Sequence, residues 1–196
     1  MPQIVGRKAP DFALEGVLNG KFHTYRLADY KGKWVVLFFY PLDFTFVCPT
    51  EILAFSDRLG DFKNAGAEVL GASVDSRYSH LAWTEKPREE GGIKGLAYPL
   101  LEDLGKELAE EYGVLDEAGL IALRGLFIID PDGVVQHATI NNTSVGRSVD
   151  ETLRVLHAFQ NVRDNGELCP ADWKPGARSM KSGDRESAKE YFAHAK

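Results

Sequence analysis

Lys33-Trp34-Val35-Val36-Leu37-Phe38-Phe39-Tyr40 is the stretch on which the fold turns. After its opening lysine every residue is apolar or aromatic, with no polar alternation. Such a run is expected of a central strand buried on both faces. Pro41 ends it, because proline has no backbone N–H to give to a sheet ladder. A helix is expected just after Pro49, running through Phe55 to Phe62. Its apolar positions Ile52, Leu53, Phe55, Leu59 and Phe62 recur at helical spacing.

Working outward, the same alternation of element types continues. Ala9 to Leu14 and Lys21 to Leu27 read as short edge strands around a Gly16–Gly20 turn. Ala67 to Val74 is a second apolar strand, followed by a helix from Tyr78 to Lys86. Pro99 to Leu101 is a short strand, and Leu104 to Tyr112 an amphipathic helix with Gly113 as its C-terminal stop. Leu126 to Ile129 and Val134 to Ile140 are strands joined by Asp130-Pro131-Asp132-Gly133, a strong turn. Val149 to Val162 is a helix, with Ser148 as N-cap and Glu151 three residues on. Strands alternating with helices, plus one late hairpin, predict an α/β fold with a mixed sheet flanked by helices.

From Gly166 onward the chain changes character, with Pro170, Pro175, Gly176 and Gly183 among polar residues. This predicts a domain over residues 1–165 and an extended C-terminal arm over 166–196, with a short helix from Asp184 to Phe192. Trp173, Tyr191 and Phe192 are large aromatics in a polar tail and are expected to dock.

Composition narrows the function. The chain has 196 residues, 44% of them hydrophobic, and a formal net charge of −6. The acidic balance argues against nucleic-acid binding, which leaves a basic footprint. The longest apolar run is too short to span a bilayer, and no apolar stretch follows Arg7-Lys8 as a secretory signal requires. A cytoplasmic location is the expectation. The two cysteines, Cys48 and Cys169, are too few for a disulfide framework. The five histidines show no close ligand spacing, so no metal is expected, and no bound cofactor is implied.

Cys48 stands where a buried strand passes through a loop into a helix, within Phe39-Tyr40-Pro41-Leu42-Asp43-Phe44-Thr45-Phe46-Val47-Cys48-Pro49-Thr50-Glu51. Sites in open α/β sheets form at such strand ends. In the first turn of a helix, free N–H groups and the positive dipole end favour an anion, here a thiolate. Pro49 suits an early helical position. The Thr45 hydroxyl, three residues back, is expected to donate to the sulfur or to a bound peroxide oxygen, and Pro41 to wall off water. An arginine would complete the set; the residues alone leave its identity open.

The Phe39–Glu51 motif resembles the active-site segment of two-cysteine peroxiredoxins of the alkyl hydroperoxide reductase C type. The likeness extends to Ala9-Pro10-Asp11-Phe12, Ser73-Val74-Asp75-Ser76, His80-Leu81-Ala82-Trp83, Arg124 to Asp130, Gly146 to Glu151, and Cys169 to Gly176. The resemblance implies a thioredoxin-like fold with extra N-terminal strands and a C-terminal arm. It implies Cys48 as the peroxidatic cysteine, with Pro41, Thr45 and Arg124 as companions. Glu51 and Arg147 become a supporting polar pair, and Cys169 of a partner subunit the resolving cysteine. It also implies a homodimer, usually five in a ring-shaped decamer. The substrate is then a hydroperoxide, and the reductant thioredoxin or a dedicated disulfide reductase. Gly91-Gly92-Ile93-Lys94-Gly95 departs from the Gly-Gly-Leu-Gly loop of overoxidation-sensitive members, although Tyr191-Phe192 is present; intermediate sensitivity is expected. Asp172 stands where many relatives have glycine. Two rival readings are a general thiol–disulfide oxidoreductase, disfavoured by the lack of a Cys-x-x-Cys pair, and a chaperone-like ring with incidental thiols.

Overall fold

The chain opens with a hairpin, β1 (Ala13–Leu18) and β2 (Lys21–Arg26), turned at Asn19-Gly20, where both residues have positive φ. The expected turn at Gly16 is corrected: Gly16 lies inside β1, opposite His23. Its glycine serves close approach instead. A Cβ there would stand 2.6 Å from the Leu100 carbonyl oxygen, so the backbones pack where a side chain would not fit.

β3 (Trp34–Phe39), α1 (Cys48–Asp57), α2 (Leu59–Asn64), β4 (Ala67–Ser73) and α3 (Arg77–Glu85) follow. Then come β5 (Leu100–Glu102), α4 (Glu107–Glu111), β6 (Arg124–Ile129) and β7 (Val135–Asn141). The seven strands form one sheet in the order β2-β1-β5-β4-β3-β6-β7. β3 pairs in parallel with β4 and antiparallel with β6, and β4 pairs in parallel with β5. This is a mixed thioredoxin-like sheet, with the hairpin β1–β2 added at one edge.

β3 is buried at all six positions, as its unbroken apolar run predicts. Its side chains alternate between two cores. Val35, Leu37 and Phe39 join Leu108, Tyr112 and Phe127 on one face. Phe38 points the other way and stacks on Phe55 of α1, with centroids 4.8 Å apart and planes 14° off parallel. Phe55 in turn meets Phe62 of α2. The helix expected as one piece to Phe62 is broken at Arg58, whose φ and ψ of −102° and 11° leave the helical region. The helix expected from Leu104 begins only at Glu107. Lys106 has φ 64°, and the Asp103 carboxylate accepts the N–H groups of Leu108 and Ala109 at 3.1 and 2.8 Å, an N-terminal cap.

The computed structural model describes residues 3–194. It divides into two compact units at Val149/Asp150. The first carries the sheet and Cys48. At the boundary begins α5 (Val149–Asn165), and the second unit adds β8 (Glu167–Leu168), β9 (Met180–Lys181) and α6 (Arg185–His194). The segment after Gly166 is therefore not bare extended chain: β8 and β9 pair antiparallel. Trp173 is buried, and its indole donates to the Ala177 carbonyl at 3.1 Å. Phe192, expected to dock, is 69% exposed. Among the described residues, no helix is long and apolar enough to cross a membrane.

Candidate active site

Strand β3 ends at Phe39, and a bent loop over residues 40–47 delivers the chain to Cys48 at the first position of α1. Pro49 occupies the second position, where its missing N–H has no intrahelical partner. Val47, the N-cap residue, supplies no side-chain cap. The positive end of α1 is thus not neutralised by its own cap, and Cys48 Sγ lies in the turn that carries it. Cys48 is fully buried.

The sulfur faces a guanidinium. Arg124 Nη1 donates to Cys48 Sγ at 3.4 Å and to Glu51 Oε2 at 2.6 Å, while Nε donates to the Thr143 carbonyl at 2.7 Å. Both partners in the Arg124–Glu51 pair are nearly inaccessible to solvent. Arg124 opens strand β6, so its position comes from the sheet. Glu51 lies three residues after Cys48 and so one turn further along α1.

Glu51 also holds Arg147. Its Oε1 accepts from the Arg147 backbone N–H and from Nε, each at 2.7 Å, and Oε2 accepts from Nη2 at 3.0 Å. Arg147 Nη1 donates to the carbonyls of Phe39 and Gly125 at 2.9 and 2.5 Å. Arg147 therefore ties the end of β3 and the start of β6 to the helix bearing Cys48. Gly146 lies close by; a Cβ there would sit 3.3 Å from Glu51 Cγ. Four residues singled out in the sequence, Cys48, Glu51, Arg124 and Arg147, thus form one buried cluster.

Pro41 is buried in the loop, and Thr45 is half-buried. The expected donation from Thr45 to the sulfur or to a peroxide is corrected: its hydroxyl donates to the Leu42 carbonyl at 2.9 Å. With its proton engaged there, it offers lone pairs to an incoming group. Cys169 belongs to the second unit. Asn161 Nδ2 donates to its sulfur at 3.5 Å, and its thiol donates to the Ala158 carbonyl, also at 3.5 Å.

A second buried cluster escaped the sequence reading. Tyr40 OH donates to Asp43 Oδ1 at 2.8 Å, and His80 Nδ1 lies 2.8 Å from Asp43 Oδ2. His80 Nε2 meets the Leu101 carbonyl at 3.1 Å, and the Asp43 N–H donates to Asp75 Oδ2 at 2.7 Å. Burial first, then the Asp43 charge, hold the Tyr40 phenol well above its ordinary pKa, so it stays a donor. This cluster pins the loop that carries Thr45. His80 was visible only within the His80–Trp83 segment, with no role attached.

Comparison with known proteins agrees over nearly the whole chain. The AhpC/TSA family matches residues 5–138, and the C-terminal domain of 1-Cys peroxiredoxin matches residues 158–194. A chloroplastic 2-Cys peroxiredoxin BAS1 of Hordeum vulgare is 58% identical over 97% of this chain and 90% of its own. Peroxiredoxin-2 of Mus musculus is 56% identical over 96% and 95%. Among solved structures, the reduced 2-Cys peroxiredoxin of Plasmodium vivax superposes with a TM-score of 0.94 at 44% identity, covering 98% of this chain and all of that one.

Proposed function

The chain belongs to the AhpC/TSA family as a 2-Cys peroxiredoxin, a thiol peroxidase, and from that premise we propose how its residues divide the work. Cys48 is the peroxidatic cysteine. The observation that carries this is the Arg124 guanidinium 3.4 Å from Cys48 Sγ at the start of α1. A fixed positive charge and a helix N-terminus both favour sulfur as an anion.

In the first step the Cys48 thiolate attacks one oxygen of ROOH. An S–O bond forms, the O–O bond breaks, and the electron pair leaves with RO⁻, which takes a proton to become ROH. Sulfur is oxidised to the sulfenic acid. Charge moves from sulfur to the leaving oxygen, and Arg124 is placed to follow it, as donors do in oxyanion sites. Thr45 Oγ1 accepts from the peroxide O–H, and Pro41 keeps bulk water out. Glu51 and Arg147 hold Arg124 and the helix in register.

In the second step Cys169 of a partner subunit displaces water from the sulfenic acid and forms a disulfide. A dithiol reductant, thioredoxin or a dedicated disulfide reductase, reopens it by exchange. This reading treats residues 1–165 as the peroxidase domain and 166–196 as the arm that brings Cys169. It includes a homodimer that assembles into a ring-shaped decamer. Phe46, 93% exposed beside the site, and Ile140 and Val145 near one sheet edge supply apolar surface for such contacts. A cytoplasmic location fits two free cysteines, although relatives include chloroplastic proteins.

The test is a non-reducing denaturing gel of reduced protein after one equivalent of hydrogen peroxide. The expected result is a band at twice the chain mass, returned to monomer by a dithiol and absent in Cys48→Ser or Cys169→Ser. A monomer band with both thiols intact would overturn the assignment of Cys48. Repeated turnover in excess peroxide should leave part of Cys48 as sulfinic acid, read by mass spectrometry; none at all would contradict the intermediate sensitivity expected from the loop at Gly91–Gly95.

A further inference from the structure

Cys48 is fully buried in the first turn of α1. A disulfide requires sulfurs about 2.05 Å apart with a set torsion, so an enclosed sulfur must leave its helix before another chain's cysteine can reach it. How much of α1 must leave is decided by what grips it. The first turn is held by the Glu51 contacts with Arg124 and Arg147. The next turn is held differently. Tyr98, in the segment before β5, is fully buried and donates its hydroxyl to the Ile52 carbonyl at 2.8 Å. One residue earlier, the Ala97 N–H donates to Ser56 Oγ at 3.2 Å. Tyr98 also packs edge-on against Phe38, which stacks on Phe55.

A buried tyrosine hydroxyl that loses its acceptor is left unsatisfied in the core, a penalty larger than the bond's net worth. Unwinding up to Glu51 leaves Tyr98 untouched; unwinding through Ile52 strands its hydroxyl.

We propose that Tyr98 is a positioning residue for the resolving step: its hydrogen bond to the Ile52 carbonyl sets the point where unwinding of α1 stops. Cys48 to Glu51 leave the helix, and Ile52 onward stays. The proposal rests on Cys48 forming the intersubunit disulfide. It makes Tyr98 a governor of the competition between resolution and further oxidation. Without that stop the unwound ensemble extends past Ile52 and is more populated, so Cys169 captures the sulfenic acid sooner, before a second peroxide does.

The experiment compares amide hydrogen exchange in the reduced and disulfide forms of the wild-type protein and of Tyr98→Phe, with sulfinic acid per turnover measured on both. In wild type, the amides of residues 50–55, whose carbonyl acceptors at 47–51 leave the helix, should lose protection in the disulfide form, while those of 56–58, which donate to Ile52 and beyond, keep it. In Tyr98→Phe, protection at 56–58 in the disulfide form should fall by roughly 5- to 30-fold, the weight of one buried hydrogen bond. Sulfinic acid per turnover should fall, with the rate of the first Cys48 oxidation unchanged. Wild-type protein that loses protection evenly across 50–58 would overturn the proposal whatever the variant does. So would a variant with a lower melting temperature but wild-type sulfinic yield, which is the mark of a merely structural hydroxyl. Absence of Cys48 oxidation in both proteins would instead remove the peroxidase reading on which the proposal stands.

Discussion

Replacing Arg124 with methionine keeps most of the side chain's volume and removes its charge. The structure sets the size of the effect. At the observed 3.4 Å and an effective dielectric constant of about 20, a guanidinium and a thiolate attract by about 5 kcal/mol. Glu51 Oε2 lies 2.6 Å from the same nitrogen and offsets part of that attraction. The remainder is comparable to one oxyanion-hole donor, about 3–4 kcal/mol, or roughly 10²- to 10³-fold in rate. Folding should survive, because Glu51 keeps its three hydrogen bonds to Arg147. The assay is single-turnover oxidation by hydrogen peroxide in a Cys169→Ser background, which isolates the first step. A rate within fivefold of the Arg124 parent, with Glu51 and Arg147 in place, would refute the electrostatic argument and leave Arg124 a structural tether.

Three further outcomes are expected. Glu51→Gln leaves two buried guanidinium groups without their shared carboxylate and should lower unfolding free energy by about 3–5 kcal/mol, read from urea denaturation. Gly125→Ala puts a Cβ 2.4 Å from Val114 Cγ1; overpacking of this kind costs about 1–3 kcal/mol, again measurable in urea, and a neutral result would show that Val114 yields freely. Asp75 is held above the ordinary carboxylate pKa, chiefly by burial. The folded protein keeps its proton to higher pH than the unfolded chain, so this group's contribution is full below its unfolded pKa. It is lost as pH rises through the raised value. Asp75→Asn removes that dependence, so its urea midpoint should gain on wild type as pH rises from about 4 to about 7; a gap that is constant or moves the other way would count against it.

Much of the sheet was legible because single segments announced it. β3 is apolar without interruption, and Asp130 to Gly133 turns the chain between β6 and β7 on strong local preference. Local signals failed where a long-range neighbour decided the matter. Gly16 reads as a turn residue, yet its role is to let β5 approach. The start of α4 depends on the Asp103 cap and the left-handed Lys106. The site divides in the same way. Cys48 and Glu51 share one segment and one helix, so spacing alone relates them. Arg124 is 76 residues from Cys48, and only resemblance singled it out. Tyr40, Asp43 and His80 make a cluster across the loop and α3, and no spacing rule joins residues brought together by the fold.

The cluster under Cys48 contains two guanidinium groups and one carboxylate, all nearly sealed from water. Counted as charges, it carries a surplus of one positive. An unbalanced charge in a dry interior is expensive, and the group beside it able to supply the missing negative charge is the sulfur itself. In the proposed role of Cys48 as nucleophile, a thiolate there would also complete the local neutrality of the fold. On that proposal, conversion to the neutral sulfenic acid would withdraw the counter-charge and weaken the grip on the first turn of α1 at the moment when that turn has to let go.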